Sequence, residues 1–364
     1  MTFKPFSSRR GFLLSALTTA IALKACQAGP PPDPNALPNS NGGPSTPVTL
    51  YGAGASFPSF LYLKWFKDYN AEHPEAQISY QPVGSAAGIQ QFLAGTVDFG
   101  ASEVPLTDAE IASIERGAVF IPSAAGSVAV VYNLPGIPSG LQLSREVLPE
   151  IFLGQITQWN DPAIAALNPD LALPDLPITV IHRSDGSGTT AAFTAHLSAI
   201  SPAWQSQVGA GLNVAWPAGT GIKDNAGISA QVQQGEGVIG YVEYAFAKQL
   251  ELTTAAIENQ AGDFTLPTEA ATATAIATIE LSADLRGASP DPAAAGAYPI
   301  VTYSWILAYQ QYDDAAKAQL LKDVLAWGLT EGQAFGPALG YVPLPEAIVE
   351  QAVSALEQIG SGAA

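Results

Sequence analysis

Ile178-Thr179-Val180-Ile181-His182-Arg183-Ser184-Asp185-Gly186-Ser187-Gly188-Thr189-Thr190 decides how the rest of the chain is read. The β-branched run Ile178–Ile181 predicts a strand, and Ala191-Ala192-Phe193-Thr194-Ala195-His196-Leu197 predicts a helix. Between them lies a turn of Gly and hydroxyl residues. A strand that turns this way into a helix leaves the first backbone N–H groups of that helix without partners. Those donors sit at the positive end of the helix dipole, so the natural guest is an anion. Ser187, Thr189 and Thr190 add hydroxyl donors, and Arg183 adds a fixed fork of N–H groups that suits a tetrahedral oxyanion.

The same unit recurs upstream. Val48–Tyr51 predicts a strand, followed by Gly52-Ala53-Gly54-Ala55-Ser56-Phe57-Pro58 and an amphipathic helix. Phe60, Leu61, Leu63, Trp65 and Phe66 face its core side, while Lys64, Lys67 and Asp68 face mostly outward; Pro58 suits the first turn. Gln77–Val83, the turn Gly84-Ser85-Ala86-Ala87-Gly88 and a helix from Ile89 repeat the pattern. Val97–Ser102 is a third strand, ending in Glu103-Val104-Pro105-Leu106, and Thr107 with Glu110 forms a capping box. Strands alternating with helices signal an α/β body with a largely parallel sheet. Ligands of such sheets bind at the carboxyl ends of the strands. Ser56, Ser85, Glu103 and Arg183–Thr190 therefore share one rim or face each other across a cleft.

Val128–Asn133 is a buried strand that suits a crossing into a second lobe. That lobe would hold Leu148–Leu153, Ile156–Trp159, the opening stretch and Gly237–Val242. Thr253–Ala297 is the least informative region, with a hairpin at Asn259–Asp263 and an Ala/Thr-rich helix over 267–281. A strand at Pro299–Leu307 and helices over Asp314–Trp327 and Pro345–Ile359 close the chain.

The chain has 364 residues, 48% hydrophobic and 13% charged, enough for two domains with a sizeable core. Fourteen Lys+Arg against 32 Asp+Glu give a net charge of -18, which argues against nucleic-acid binding. An anion must then be held by local dipoles and hydrogen bonds. One cysteine allows no internal disulfide, and three scattered histidines (His73, His182, His196) lack metal-ligand spacing, so no metal or cofactor is expected. Ser8-Arg9-Arg10-Gly11-Phe12-Leu13-Leu14 reads as a twin-arginine export signal, followed by an apolar stretch too short to span a bilayer. Leu23-Lys24-Ala25-Cys26 resembles a lipobox, which makes residues 1–25 a signal peptide and Cys26 a lipidated first residue; Lys24 is unusual there. Residues 26–47 form an extended tether, with seven prolines from Gln27 to Pro47.

Taken together, the chain resembles the phosphate-binding proteins of bacterial phosphate ABC transporters over nearly all of residues 48–358. Landmarks in order are Gly52–Pro58, Gly84-Ser85 with Gly88-Ile89, Val97–Ser102, Arg183–Thr190, Gly240-Tyr241-Val242-Glu243-Tyr244 and Tyr341-Val342-Pro343-Leu344-Pro345. The resemblance implies a two-lobed α/β periplasmic binding protein-like fold (type II). Each lobe would be a mixed sheet flanked by helices, with one dehydrated phosphate in the interlobe cleft. Residues 48–122 and 298–364 would form lobe I, and 123–297 lobe II. It further implies a monomer outside the cytoplasmic membrane that passes phosphate to a membrane permease and has no catalytic residues.

By position, Ala55, Ser56 and Phe57 match the donors of the first turn, where the family often has Thr in place of Ser56. Ser85 matches the second turn, where Ala86-Ala87 replaces a Gly/Ser-rich pair. Arg183 matches the phosphate-binding arginine, Asp185 the carboxylate that holds it, and Ser187, Gly188 and Thr189 the helix N-terminus. Glu103 stands where the family typically carries Asp, the acceptor for the proton of bound phosphate. Sulfate offers no such proton, so Glu103 is expected to discriminate against it.

The alternatives are a secreted phosphate-ester hydrolase, or a binding protein for another tetrahedral oxyanion such as arsenate, on the same scaffold. Gly186-Ser187-Gly188 lacks the G-x-S-x-G elbow and no histidine is placed by a known triad order. A P-loop would need a Lys after its glycines. His182 and His196 are expected to be ordinary core or surface histidines. Trp65, Trp159, Trp204, Trp216, Trp305 and Trp327 are expected in the core.

Overall fold

Short apolar runs ending in Gly- and Ser-rich turns build the first third of the body, and the computed structural model describes residues 47–361. The signal peptide, the twin-arginine motif, Cys26 and all but the last residue of the tether lie outside the described residues. β1 (Val48–Gly54) leads into α1 (Ser59–Glu72), β2 (Ala76–Pro82) into α2 (Ser85–Leu93), and β3 (Phe99–Ser102) into α3 (Asp108–Ala112). Pro58 is the N-cap of α1, and the Thr107/Glu110 capping box forms as expected.

β4 (Ala118–Tyr132) departs most from the sequence reading, which placed a strand only from Val128. Its first ten residues include Pro122, Gly126 and several Ala and Ser, which carry weak strand signals. Tertiary pairing makes them a strand nonetheless. β5 (Gln142–Leu143), α4 (Val147–Phe152) and α5 (Pro162–Leu167) follow, then β6 (Thr179–Arg183), α6 (Gly188–Ile200) and α7 (Pro202–Gln207). Next come β7 (Thr220–Ile222), α8 (Asp224–Gln234), β8 (Val238–Glu243), α9 (Tyr244–Gln249) and β9 (Thr253–Thr254). β10 (Ala256–Glu258) and β11 (Phe264–Thr265) form the expected hairpin. α10 (Glu269–Ile276) is shorter than the span read from 267 to 281, because Thr268 caps it and the helix stops at Ala277. β12 (Val301–Tyr309), β13 (Gln311–Tyr312), α11 (Ala315–Leu329), α12 (Gly336–Leu339), α13 (Glu346–Ala355) and β14 (Gly360–Ser361) complete the body.

The main sheet runs β2-β1-β3-β12-β4-β8-β6-β7, with β9 also on β4. β1 is parallel to β2 and β3, and β6 is parallel to β7 and β8. β12 is antiparallel to both β3 and β4, while β8 is antiparallel to β4. This register decides where the site can be. Ser102, the end of β3, is level with Trp305 and hence with Pro122 of β4. Glu243, the end of β8, pairs with Val128 of the same strand. The two sets of carboxyl ends therefore point at one another along β4. At about 3.3 Å per residue the interval is roughly 20 Å, filled by the turns that follow the strands.

Trp65, Trp159, Trp204 and Trp305 are fully buried, as expected of core residues. Trp216 and Trp327 are only partly buried, and Trp216 stacks on His182 with centroids 4.6 Å apart. No helix among the described residues is long and apolar enough to cross a membrane.

Candidate functional site

Each turn that follows a strand end delivers its polar residues to the space between the two rims. α6 begins at Gly188, earlier than the apolar pattern alone suggested, and Ser187 is its N-cap. The Ser187 hydroxyl accepts from Thr190 N–H at 3.2 Å. Across the gap, the Ser85 hydroxyl accepts from Gly188 N–H at 2.9 Å and donates to Glu103 Oε2 at 2.8 Å. The backbone N–H of Ala86 donates to Gly186 O. Glycine is required at two of these approaches. A Cβ on Gly188 would lie 2.0 Å from Glu103 Oε2, and one on Gly84 (φ +95°) would lie 2.7 Å from Asp185 Oδ2.

Arg183 ends β6 with its side chain only 1% exposed. Its Nε and Nη2 donate to the two carboxylate oxygens of Asp185, the first at 2.7 Å. Asp185 also accepts from Asp224 N–H at 3.0 Å. Burial by itself would raise the Asp185 carboxyl, but the hydrogen bonds and charge of Arg183 hold it below the usual carboxylate range. The Arg183 backbone N–H is held by Tyr241 Oη at 3.1 Å, and that hydroxyl also bonds Thr190 Oγ1. With the fork thus fixed, Nη1 remains buried with no protein partner.

Glu103 is buried, and Ser304 donates to its Oε1 while Ser85 donates to Oε2. Burial pushes its carboxyl up to about 7, while those hydroxyls and the charge of Arg183 pull it the other way. Beyond it lies a second buried carboxyl, Glu243, whose Oε1 accepts from Ala245 N–H and whose Oε2 has no partner. Burial raises Glu243 well above the ordinary range.

Ser56, Ser85, Glu103, Arg183, Asp185, Ser187, Gly188 and Thr189 are thus joined in one buried polar cluster through the contacts above and through Asn225. Phe57 borders it, its ring against Gly126 and its carbonyl accepting from Tyr341 Oη at 2.7 Å. Ala55 plays a different part from the donor role assigned to it. Its N–H is spent on Ala101 O at 2.9 Å, so it shapes the turn. Cys26 lies outside the described residues.

Four members of the cluster went unassigned in the sequence: Asn225, Tyr241, Glu243 and Ser304. Asn225 follows a strand in the same way as Ser56 and Ser85, but β7 has three residues and no apolar run to announce it. Ser304 sits within a strand, where a single buried serine has no local signature. His182 Nδ1 faces Arg183 O and His196 Nδ1 faces Pro290 O. A surface groove of about 600 Å³ beside Phe120, Leu285 and Gln351, near the start of β4, is lined by none of the residues of this cluster.

The open order of the main sheet, with its strand ends facing one another, sets this body apart from a closed barrel. A family model described as "PBP superfamily domain" matches residues 39–331. A protein named Phosphate-binding protein PstS from Xylella fastidiosa is 40% identical over 351 residues, covering 94% of this chain and 96% of that protein. Its namesake from Haemophilus influenzae is 42% identical over 307 residues, covering 83% and 90% respectively. Among solved structures, a phosphate-binding protein from Stenotrophomonas maltophilia superposes with a TM-score of 0.67 at 19% identity, over 84% of this chain and 93% of that one. The chain belongs to the PBP superfamily and, within it, to the family of proteins named phosphate-binding protein PstS.

Proposed function

We propose that the chain binds inorganic phosphate outside the cytoplasmic membrane and hands it to the permease of a phosphate ABC importer. The observation that carries this reading is the Arg183 guanidinium, locked by Asp185, with a buried Nη1 that no protein group satisfies. A buried charged donor without an acceptor is costly, and an oxyanion beside the N-terminus of α6 would satisfy it. Ser56, Phe57, Ser187 and Thr189 supply the remaining donors, the Ser85 hydroxyl and Gly188 N–H join them only by leaving their present bonds to Glu103 and to Ser85, and Glu103 accepts the phosphate proton. In this reading residues 48–122 and 298–364 form one lobe and 123–297 the other. The protein is a monomer, exported by its twin-arginine signal and anchored through Cys26.

Ester hydrolysis draws no support from the same residues. Ser187 serves as a helix cap, no histidine reaches it, and the relatives are named as binding proteins. Calorimetry with phosphate and sulfate tests the proposal. Phosphate should bind tightly and sulfate weakly, and Arg183→Ala should lower phosphate affinity by about 10³-fold. Equal affinity for both anions in the wild type would overturn the role of Glu103.

A further inference from the structure

Asn225, the second residue of α8, is fully buried, and the two ends of its amide are fixed by different neighbours. Its Oδ1 accepts from the backbone N–H of Glu243 at 3.2 Å. A backbone N–H can only donate, so the opposite end of the amide must be the NH2 group. That Nδ2 lies 3.0 Å from Ser56 Oγ and 3.3 Å from Thr189 Oγ1. The two hydroxyls come from opposite halves of the sheet, one following β1 and the other on α6.

An amide NH2 has hydrogens to give and no lone pair to offer. Each hydroxyl therefore accepts from Asn225 and keeps its own hydrogen for another partner. Accepting also polarises an O–H bond and strengthens what it donates. The first turn of α8 is held firmly enough to impose this. Asp224 N–H is tied to Asp185, the Asn225 carbonyl accepts from Ser229 Oγ at 2.8 Å, and Gly227 N–H is capped by Asp224.

We propose that Asn225 is a positioning residue that sets the donor polarity of the anion site, aiming the Ser56 and Thr189 hydroxyl hydrogens at the ligand while tying the two halves together. This rests on the phosphate-site reading above. It explains why an amide suits the position where a carboxylate of the same shape would not. An Asp there would accept from both hydroxyls, turn their hydrogens away from the anion and add a repelling charge.

The test compares Asn225→Asp and Asn225→Ala with the wild-type protein. Phosphate affinity and dissociation rate are measured between pH 5 and 8, with thermal unfolding as a check on folding. Asn225→Asp should lose about 100-fold in affinity at pH 8, and Asn225→Ala about 10-fold, mostly through faster dissociation. The Asp variant should recover relative to wild type at pH 5, where a protonated carboxyl can again donate; the Ala variant should not. Glu103, Asp185, Arg183, Asp224 and Glu243 surround the site in all three proteins, so their titration and that of phosphate are referenced to the wild type at each pH. An Asp variant that binds as wild type does, or one that matches the Ala variant with no recovery at low pH, overturns the inference. If the wild type itself fails to bind phosphate, or Arg183→Ala binds normally, the underlying reading fails instead. Should Asn225→Asp not fold, an Ala variant with unchanged dissociation would still overturn the inference.

Discussion

Two corners of the second half of the sheet are built alike and do different work. At the β6–α6 corner, glycine and hydroxyl residues bring backbone and side-chain donors to the centre of the site. At the β7–α8 corner, Asp224 takes a left-handed conformation (φ 53°), and neither it nor Asn225 is assigned direct contact with phosphate. Instead, Asp224 N–H braces Asp185 and the Asn225 amide governs two hydroxyls. On the proposed reading of the site, one corner supplies donors and the other organises them. Only the first has a composition that announces an anion, because direct donors come from a recognisable set of residue types. An organising corner can be built from any residues with the right shape.

The sharpest way to break this division is Arg183→Ala at the first corner. It removes a charged fork from a buried site and should reduce phosphate affinity on the order of 10³-fold by calorimetry. Retained binding would mean that the first corner is not the anion's main holder. Gly188→Ala should follow, with a loss of about 100-fold and a lower melting temperature, since its Cβ would meet Glu103 and the Ser85 hydroxyl.

Glu103 on the opposite rim gives a pH signature. Its carboxyl rises on folding from 4.5 to about 7, so the folded state is favoured below 4.5, where both states are protonated. That stability is lost as pH rises through about 7, by an amount on the order of a few kcal/mol. Without phosphate, the melting temperature should fall across this window, and Glu103→Gln should flatten the slope. The same variant should lose discrimination between phosphate and sulfate. Asp224 at the second corner should respond least. Asp224→Val forces a β-branched residue to positive φ and should cost about 1–3 kcal/mol in chemical denaturation. Asp224→Asn, which tolerates that conformation, should stay within about 0.5 kcal/mol.

Legibility in the sequence followed signal strength. Gly52–Pro58, Gly84–Gly88 and Arg183–Thr190 were readable because turn chemistry and helix starts are local. The pairing of β4 with β12 was not, because Ser123, Ala124, Ala125 and Gly126 become a strand only when Val301–Tyr309 lies beside them. Asn225 and Ser304 share that fate, since their roles depend on which distant groups surround them. Ala55 shows the reverse error. It fits the donor pattern by position, yet its N–H is committed to the sheet.

β4 changes partners between Ser127 and Val128. Up to Ser127 it is bonded to β12, and from Val128 it is bonded to β8, while Val128 N–H reaches back to Ile300 O at 2.9 Å. The two rims are thus joined by one continuous strand, paired with β12 across a one-residue register shift at Ser123, rather than by loose connectors. Parting them to admit or release a ligand has to flex that strand near Gly126, where no side chain stiffens the backbone. A mounting of this kind is expected to act as a leaf spring, favouring a bend across the strand over a free swivel of the two rims.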